Sequence, residues 1–144
     1  MVAALKETAE EHRQEDRDFF RALIKEEIAP LIAAIANQDS KAQNGKRSQS
    51  SIIPEIELLP IQKCVALHPD VEPTDPTLKA LARPVPVGTV LPANIFPPET
   101  TWTRGRIFNL TDIDLNDLAW FYNVSFHGAN LRQRQAAYSL FLGV

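Results

Sequence analysis

Three side chains that could bind a metal ion lie at alternate positions in the C-terminal third of the chain: Asp112, Asp114 and Asn116. Their spacing matches the first three ligand positions of an EF-hand calcium loop. The match fails where the geometry is strict, because Asp117 stands where the loop needs glycine and Asn123 stands where it needs a bidentate glutamate. We therefore predict no calcium site here. A magnesium–carboxylate site of looser geometry is the weaker alternative.

The same segment fits the start of a helix better than it fits a metal loop. With Thr111 as N-cap, the Thr111 hydroxyl accepts a hydrogen bond from the Asp114 N–H, and the Asp114 carboxylate accepts one from the Thr111 N–H. Leu110 and Leu115 occupy the two positions of a hydrophobic staple, and the acids lie at the positive end of the helix dipole. We predict a helix whose carboxylates are structural. Its buried face consists of Leu115, Leu118, Ala119 and Tyr122.

Cys64 is the one cysteine of the chain, and it is the only candidate for thiol chemistry. Cys64 and His68 form a C-x3-H pair to which Asp70 and His127 could be added, but the closely paired ligands that specify zinc are missing. Nothing beside Cys64 supplies the helix N-terminus that would activate a thiolate, and the sequence contains no phosphate-binding loop or nucleophile-elbow motif. We predict a protein that is not an enzyme, with no catalytic residues, no metal site and no cofactor.

A group of arginines beside aromatic residues indicates a second kind of chemistry. Arginines of this kind can combine phosphate contacts with base stacking. Residues 101–144 carry four arginines and three aspartates, so the excess of positive charge is small. The alternative function is therefore a nucleic-acid-associated structural protein. Its binding residues would be Trp102, Arg104, Arg106, Arg132 and Arg134.

The element best suited to binding a partner is an amphipathic leader helix predicted over residues 1–36. Pro30 should kink this helix or begin a second one. The sequence that follows offers no obvious cover for its apolar face, so we expect the face to dock on another copy of the chain or on another protein. Folding back onto the same chain is the alternative. The predicted interface is Phe20, Ile24, Ile28, Leu31 and Ile35, spaced by four, four, three and four residues.

Two segments without helical periodicity follow the leader helix. Ala42 is the only apolar side chain in residues 37–51, which otherwise consist of polar and charged residues and one glycine. This composition predicts a disordered, flexible polar linker. Ten of the 11 prolines lie between Pro54 and Pro98, which predicts an extended proline-rich arm over residues 52–100. One short helical turn, opened by Pro76, is expected inside this arm.

Residues 101–144 are the part of the chain most typical of a folded core. They contain both tryptophans, both tyrosines and four of the seven phenylalanines. A second helix that starts after Asn130 and ends at Gly143 would complete a C-terminal helical hairpin. The apolar run at its end suggests a helical region that is truncated. The predicted hairpin core is Leu115, Leu118, Tyr122, Leu131 and Tyr138, and the predicted fold class is mainly α with extended proline-rich segments.

The overall composition limits the compartment and the partners. The net charge is −3, and the N-terminal 20 residues are too charged for a signal peptide. The apolar run from Ile28 to Ala36 is short and contains a proline, so we expect no transmembrane segment, no membrane partner and an intracellular protein, cytoplasmic or nuclear. The layout is similar in kind to the front ends of viral coat and retroelement gag-like polypeptides, but no motif transfers residue roles. We predict a non-enzymatic assembly or protein-interaction protein that acts through its N-terminal helix.

Overall fold

The computed structural model describes residues 2–49, 57–92, 95 and 103–144. This part of the chain is mainly helical, as the sequence predicts, and it contains no strand. The helices are α1 (Val2–Ser48), α2 (Pro76–Lys79), α3 (Arg104–Ile107), α4 (Asp112–Tyr122) and α5 (Leu131–Leu142).

Helix α1 is 47 residues long and continues through Pro30 and beyond the predicted end of the leader helix. The prediction of a flexible linker over residues 37–51 is therefore wrong for residues 37–48, which are helical. The polar composition of this segment does not reflect disorder. Instead, two of its polar side chains, Asn37 and Asn44, are buried and form hydrogen bonds with an extended segment of the same chain.

Asn37 and Asn44 bind backbone groups of the same extended segment. The Asn37 amide donates to the Gln62 carbonyl (2.8 Å) and accepts from the Gln62 N–H (2.7 Å). The Asn44 amide donates to the Leu59 and Leu142 carbonyls (3.1 and 2.9 Å) and accepts from the Leu59 N–H (2.6 Å). Seven helical residues and three extended residues both span about 10 Å, so the two asparagines match the spacing of Leu59 and Gln62.

The proline-rich segment packs against the helices over its described part and is not a free arm there. Its chain doubles back on itself through an antiparallel bridge between Gln62 and Val90 and a hydrogen bond from the Gly88 N–H to the Lys63 carbonyl (2.8 Å). Gly88 has a φ of 92°, a backbone conformation that favours glycine. The core is therefore not confined to the C-terminal third. The proline-rich segment contributes Leu58, Ile61, Leu78, Val85, Leu91 and Ile95 to it.

The short helical turn predicted in this segment is confirmed as α2. Its N-cap is Asp75, whose carboxylate accepts a hydrogen bond from the Thr77 N–H (2.8 Å). The preceding turn is fixed by Asp117 of α4, which is buried and accepts from the Thr74 and Asp75 N–H groups (2.7 and 3.0 Å). Asp117, the residue that breaks the metal-loop pattern, therefore holds α4 and the segment before α2 together.

The predicted start of α4 is confirmed. The Thr111 hydroxyl accepts from the Asp114 N–H (3.2 Å), and the Asp114 carboxylate accepts from the Thr111 N–H (2.9 Å). Helix α5 begins after Asn130 and ends at Gly143, as predicted, and it contacts α1, α3 and α4. The antiparallel hairpin arrangement of α4 and α5 stays a prediction.

The core of the C-terminal third differs from the prediction at one residue. The sequence predicts Leu131 in the hairpin core, but it is 37% exposed. The reason is its place in the first turn of α5, since residues 131–133 are all exposed. The other four predicted core residues, Leu115, Leu118, Tyr122 and Tyr138, are buried.

Candidate functional site

Over residues 29–48 the two sides of α1 have different environments, whereas residues 6–28 are exposed on every side of the helix. Its buried residues are Ala33, Asn37 and Asn44, and they define the side that packs on the rest of the protein. At 3.6 residues per turn, these three positions lie about 140–180° around the helix axis from Ile28. Ile28 therefore lies on the side of α1 opposite to these three residues, which we call the outward side.

The five residues predicted as an interface all lie on this outward side and are all exposed. Their exposed fractions range from 41% to 68%. Ile32 is exposed on the same side and widens the apolar surface. We refer to the set of Phe20, Ile24, Ile28, Leu31, Ile32 and Ile35 as the stripe.

An apolar groove runs along one edge of the stripe. It has a volume of about 380 Å³ and lies between α1 and the turn at Val87 and Gly88. Ile24, Ile28 and Ile32 line its α1 side. The stripe therefore presents both a ridge and an adjoining groove, which are the surface features that a second helix needs for packing.

Charged residues continue the outward side of α1 beyond both ends of the stripe. Glu10 and Arg17 precede the stripe, and Asp39 and Lys46 follow it. All four side chains are exposed, and all four positions lie within about 20° of Ile28 around the helix axis. The sequence prediction missed this alignment, although the signal was present: Glu10, Ile28 and Lys46 are 18 residues apart, which is five helical turns.

The arginine patch of the alternative hypothesis is only partly available for binding. Trp102 lies outside the described residues. Arg134 is held by three groups of the same chain: the Phe126 carbonyl (3.0 Å), the Asp112 carboxylate (2.6 Å) and the Asn116 side-chain oxygen (2.7 Å). These contacts join α5 to the first half of α4, so Arg134 has a structural role.

The other arginines of the patch lie on α3 and α5, which contact each other. The Arg132 guanidinium stacks on the ring of Phe108, with 4.4 Å from its central carbon to the ring centre. Arg104 is exposed and Arg106 is half-buried. The structure therefore brings one aromatic ring and one arginine of this patch into direct contact.

Lys63 is a buried cation that the sequence prediction missed. Its Nζ donates to the Phe121 carbonyl near the C-terminal end of α4 and to the Leu67 carbonyl (3.3 Å). Burial lowers the Lys63 pKa to about 8. The carbonyls at a helix C-terminus carry partial negative charge, so Lys63 caps α4 electrostatically.

His68 lies beside Lys63 and is held on both ring nitrogens. Its Nε2 accepts from the Val85 N–H (3.0 Å), and its Nδ1 lies 3.3 Å from the Trp120 carbonyl. This arrangement requires a neutral ring with the proton on Nδ1. Burial and the charge of Lys63 lower the His68 pKa accordingly. Because both nitrogens are used, His68 is positioned for structure and not for proton transfer.

Arg83 and Glu72 form an ion pair beside Trp120. Arg83 binds Glu72 through two hydrogen bonds (2.6 and 2.8 Å) and lies over the Trp120 ring, with 5.0 Å from its central carbon to the ring centre. Trp120 also stacks on His68 at 4.3 Å between ring centres. These contacts attach the proline-rich segment to α4.

The cysteine and its neighbours do not form the zinc set considered from the sequence. The Cys64 sulfur accepts from the Asn37 amide (3.1 Å), while His68 is bound elsewhere. Within the described part of the chain, no three His, Cys, Asp or Glu side chains are grouped as metal ligands. Cys64 thus belongs to the contact between α1 and the extended segment.

No helix among the described residues combines the length and the apolar character needed to cross a membrane. Comparisons of the chain with protein-family models, with curated proteins and with solved structures found no match. The geometry of its own residues is therefore the basis on which its function can be argued.

Proposed function

We propose that the protein is a non-enzymatic assembly protein that binds a second copy of itself through the stripe on α1. The observation that carries this proposal is the position of the stripe on the side of α1 opposite to Ala33, Asn37 and Asn44. The rest of the protein packs on that other side at these three residues. The fold leaves the six residues of the stripe 41–68% exposed, and exposure of this extent supports binding to another chain over the alternative of folding back.

Six large exposed apolar side chains on one side of a helix favour an interaction with another polypeptide. Single exposed apolar residues are ordinary on protein surfaces, whereas a contiguous apolar surface is typical of an interface. Burial of such side chains contributes about 25 cal/mol per Å² before the cost of association.

The charges around the stripe favour a second copy as the partner. The segment 19–36 has two bases, Arg21 and Lys25, and two acids, Glu26 and Glu27, so no net charge opposes the approach of an identical segment. The flanking charges on the outward side are also of both signs. A surface with this balance can be complementary to itself, as a two-fold interface requires.

The test is the molar mass in solution, measured by size-exclusion chromatography with light scattering. We expect a dimer for the wild type and a monomer for Ile28→Asp, because the aspartate would place a charge in the apolar contact. Ile113→Asp is the matched control, since Ile113 is an exposed isoleucine on α4. It should leave the dimer intact, and circular dichroism should show both variants folded. A monomeric wild type, or a dimer that Ile28→Asp does not weaken, would overturn the proposal.

The second candidate function is nucleic-acid binding, and the stacking of Arg132 on Phe108 is the observation that favours it. Arg104 and Arg106 on the neighbouring α3 would add phosphate contacts. A steep fall in affinity with rising salt, flattened by Arg104→Ala with Arg106→Ala, would support this candidate. Absorbance at 260 and 280 nm during the chromatography shows whether nucleic acid accompanies the purified protein.

The proposed site of action is inside the cell, cytoplasmic or nuclear. The chain has one cysteine, and its thiol takes part in a hydrogen bond between α1 and the extended segment. A reducing compartment keeps such a thiol free.

A further inference from the structure

We propose that two copies of α1 pair antiparallel about a two-fold axis at Ile28, with Arg17 of each copy facing Asp39 of the other and Glu10 facing Lys46. This inference rests on the proposed self-association and adds the orientation and register of the two helices. It is carried by the charge pattern of the outward side of α1 together with the exposure of that side.

In an antiparallel pair centred on Ile28, each residue faces the residue at the same distance on the other side of the centre. Arg17 and Asp39 each lie 11 residues from Ile28, and Glu10 and Lys46 each lie 18 residues from it. Both pairings therefore place opposite charges together. The two-fold axis repeats them, so the dimer has four ion pairs.

The same register also matches three apolar residues of the stripe, Ile24, Ile28 and Ile32, with one another. Ile28 lies on the axis and faces its own copy, and Ile24 faces Ile32. Arg21 faces Ile35, where the aliphatic part of the arginine can cover the isoleucine while its guanidinium reaches water. No acid lies between the two Ile24–Ile32 contacts on this side of the helix.

A parallel pair in register is disfavoured by the same charges. It would place Glu10, Arg17, Asp39 and Lys46 each beside an identical residue of the other copy. Exposed ion pairs add little to affinity, typically less than about 1 kcal/mol each, but they select orientation because the wrong arrangement is repulsive.

The outward side of α1 has room for this arrangement. The residues at positions 10, 17, 21, 24, 28, 32, 35, 39, 42 and 46 are all exposed. They follow one line along the helix at about 100° per residue. The rest of the protein packs on α1 at Ala33, Asn37 and Asn44, on the opposite side, and along this line it borders α1 only at the groove beside Val87 and Gly88.

Disulfide formation between two variants tests the orientation. Both variants carry Cys64→Ser, which removes the native thiol but keeps an oxygen acceptor for Asn37. One adds Arg17→Cys and the other adds Asp39→Cys. In the proposed dimer the two Arg17 positions are about 33 Å apart along the helices, because 22 residues at 1.5 Å each separate Arg17 from Asp39.

We expect a covalent dimer in a glutathione redox buffer only when the two variants are mixed. Covalent dimers of either variant alone would show a parallel pair and overturn the inference. No covalent dimer in any sample, with a dimeric mass still measured by light scattering, would overturn the orientation and leave the proposed self-association standing. A monomeric mass for the wild type would overturn both.

Discussion

Replacing Ile28 by alanine should weaken self-association about 5- to 30-fold. Ile28 is 41% exposed in the single chain. Full burial of an isoleucine side chain is worth about 1.5–3 kcal/mol, so covering its exposed part is worth about 0.6–1.2 kcal/mol. The proposed two-fold axis passes through Ile28, so each dimer loses this amount twice. After allowance for the methyl group that alanine keeps, the loss is about 1–2 kcal/mol, which converts to the stated change in Kd.

Sedimentation equilibrium of the wild type and of Ile28→Ala measures the two dissociation constants directly. Ile113→Ala is the matched control, because Ile113 is 56% exposed and lies on α4, away from the stripe. Its Kd should stay within about twofold of the wild-type value. A Kd within twofold of the wild-type value for Ile28→Ala, or an equal weakening by Ile113→Ala, would contradict the burial of Ile28 at the dimer axis.

Three further predictions concern the ion pairs, the asparagine contacts and the buried lysine. Arg17→Asp should weaken association, because position 17 faces Asp39 of the other copy in the proposed dimer. Adding Asp39→Arg to the same chain should restore the affinity. Sedimentation equilibrium measures both, and a double variant that binds more weakly than the single variant would contradict the pairing. Asn44→Ala should lower the free energy of unfolding by about 2–4 kcal/mol, because it leaves buried backbone groups without partners. The control Asn109→Ala, at an exposed position, should change this free energy by less than about 0.5 kcal/mol. Urea denaturation measures both values. The difference in free energy of unfolding, wild type minus Lys63→Met, should increase between pH 8 and pH 10. In this window the folded chain, with the Lys63 pKa lowered to about 8, binds fewer protons than the unfolded chain, so rising pH favours folding. Urea denaturation at several pH values measures this difference, and a constant or falling difference would contradict the pKa assignment.

The start of α4 was predictable because its determinants are local. Thr111 and Asp114 bind each other's backbone N–H groups across one helical turn, and both residues are visible as a short sequence pattern. The same local logic identified Gly143 as the end of α5, where the φ of 92° favours glycine. Neither feature depends on distant parts of the chain.

The extent of α1 was not predictable, because what holds residues 37–48 is distant in sequence. Asn44 binds the backbone of Leu59 and of Leu142, which is 98 residues away. A segment rich in Asn, Gln and Ser has the composition of a linker. Only the fold shows that its asparagines are buried and satisfied.

The core contribution of the proline-rich segment was missed for a similar reason. Leu58, Ile61 and Leu78 are separated by prolines and polar residues, so no helical or strand periodicity marks them as core residues. Extended chain can pack its apolar side chains without periodicity when side chains of other segments satisfy its backbone. Asn37, Asn44 and Asp117 do so here.

The candidate site was predictable in its apolar part and not in its charged part. Helical periodicity placed Phe20, Ile24, Ile28, Leu31 and Ile35 on one side of α1, and the structure exposes that side. The flanking charges were hidden because the predicted helix ended at residue 36, before Asp39 and Lys46. Once α1 extends to Ser48, both residues join the same side of the helix.

The molar mass of the wild-type protein in solution shows whether the chain self-assembles. Light scattering on material free of nucleic acid should give about 32 kDa, twice the 16.1 kDa of one chain. The mass should fall toward that of one chain as the protein is diluted. A mass of 16.1 kDa at every concentration would contradict self-assembly through the stripe.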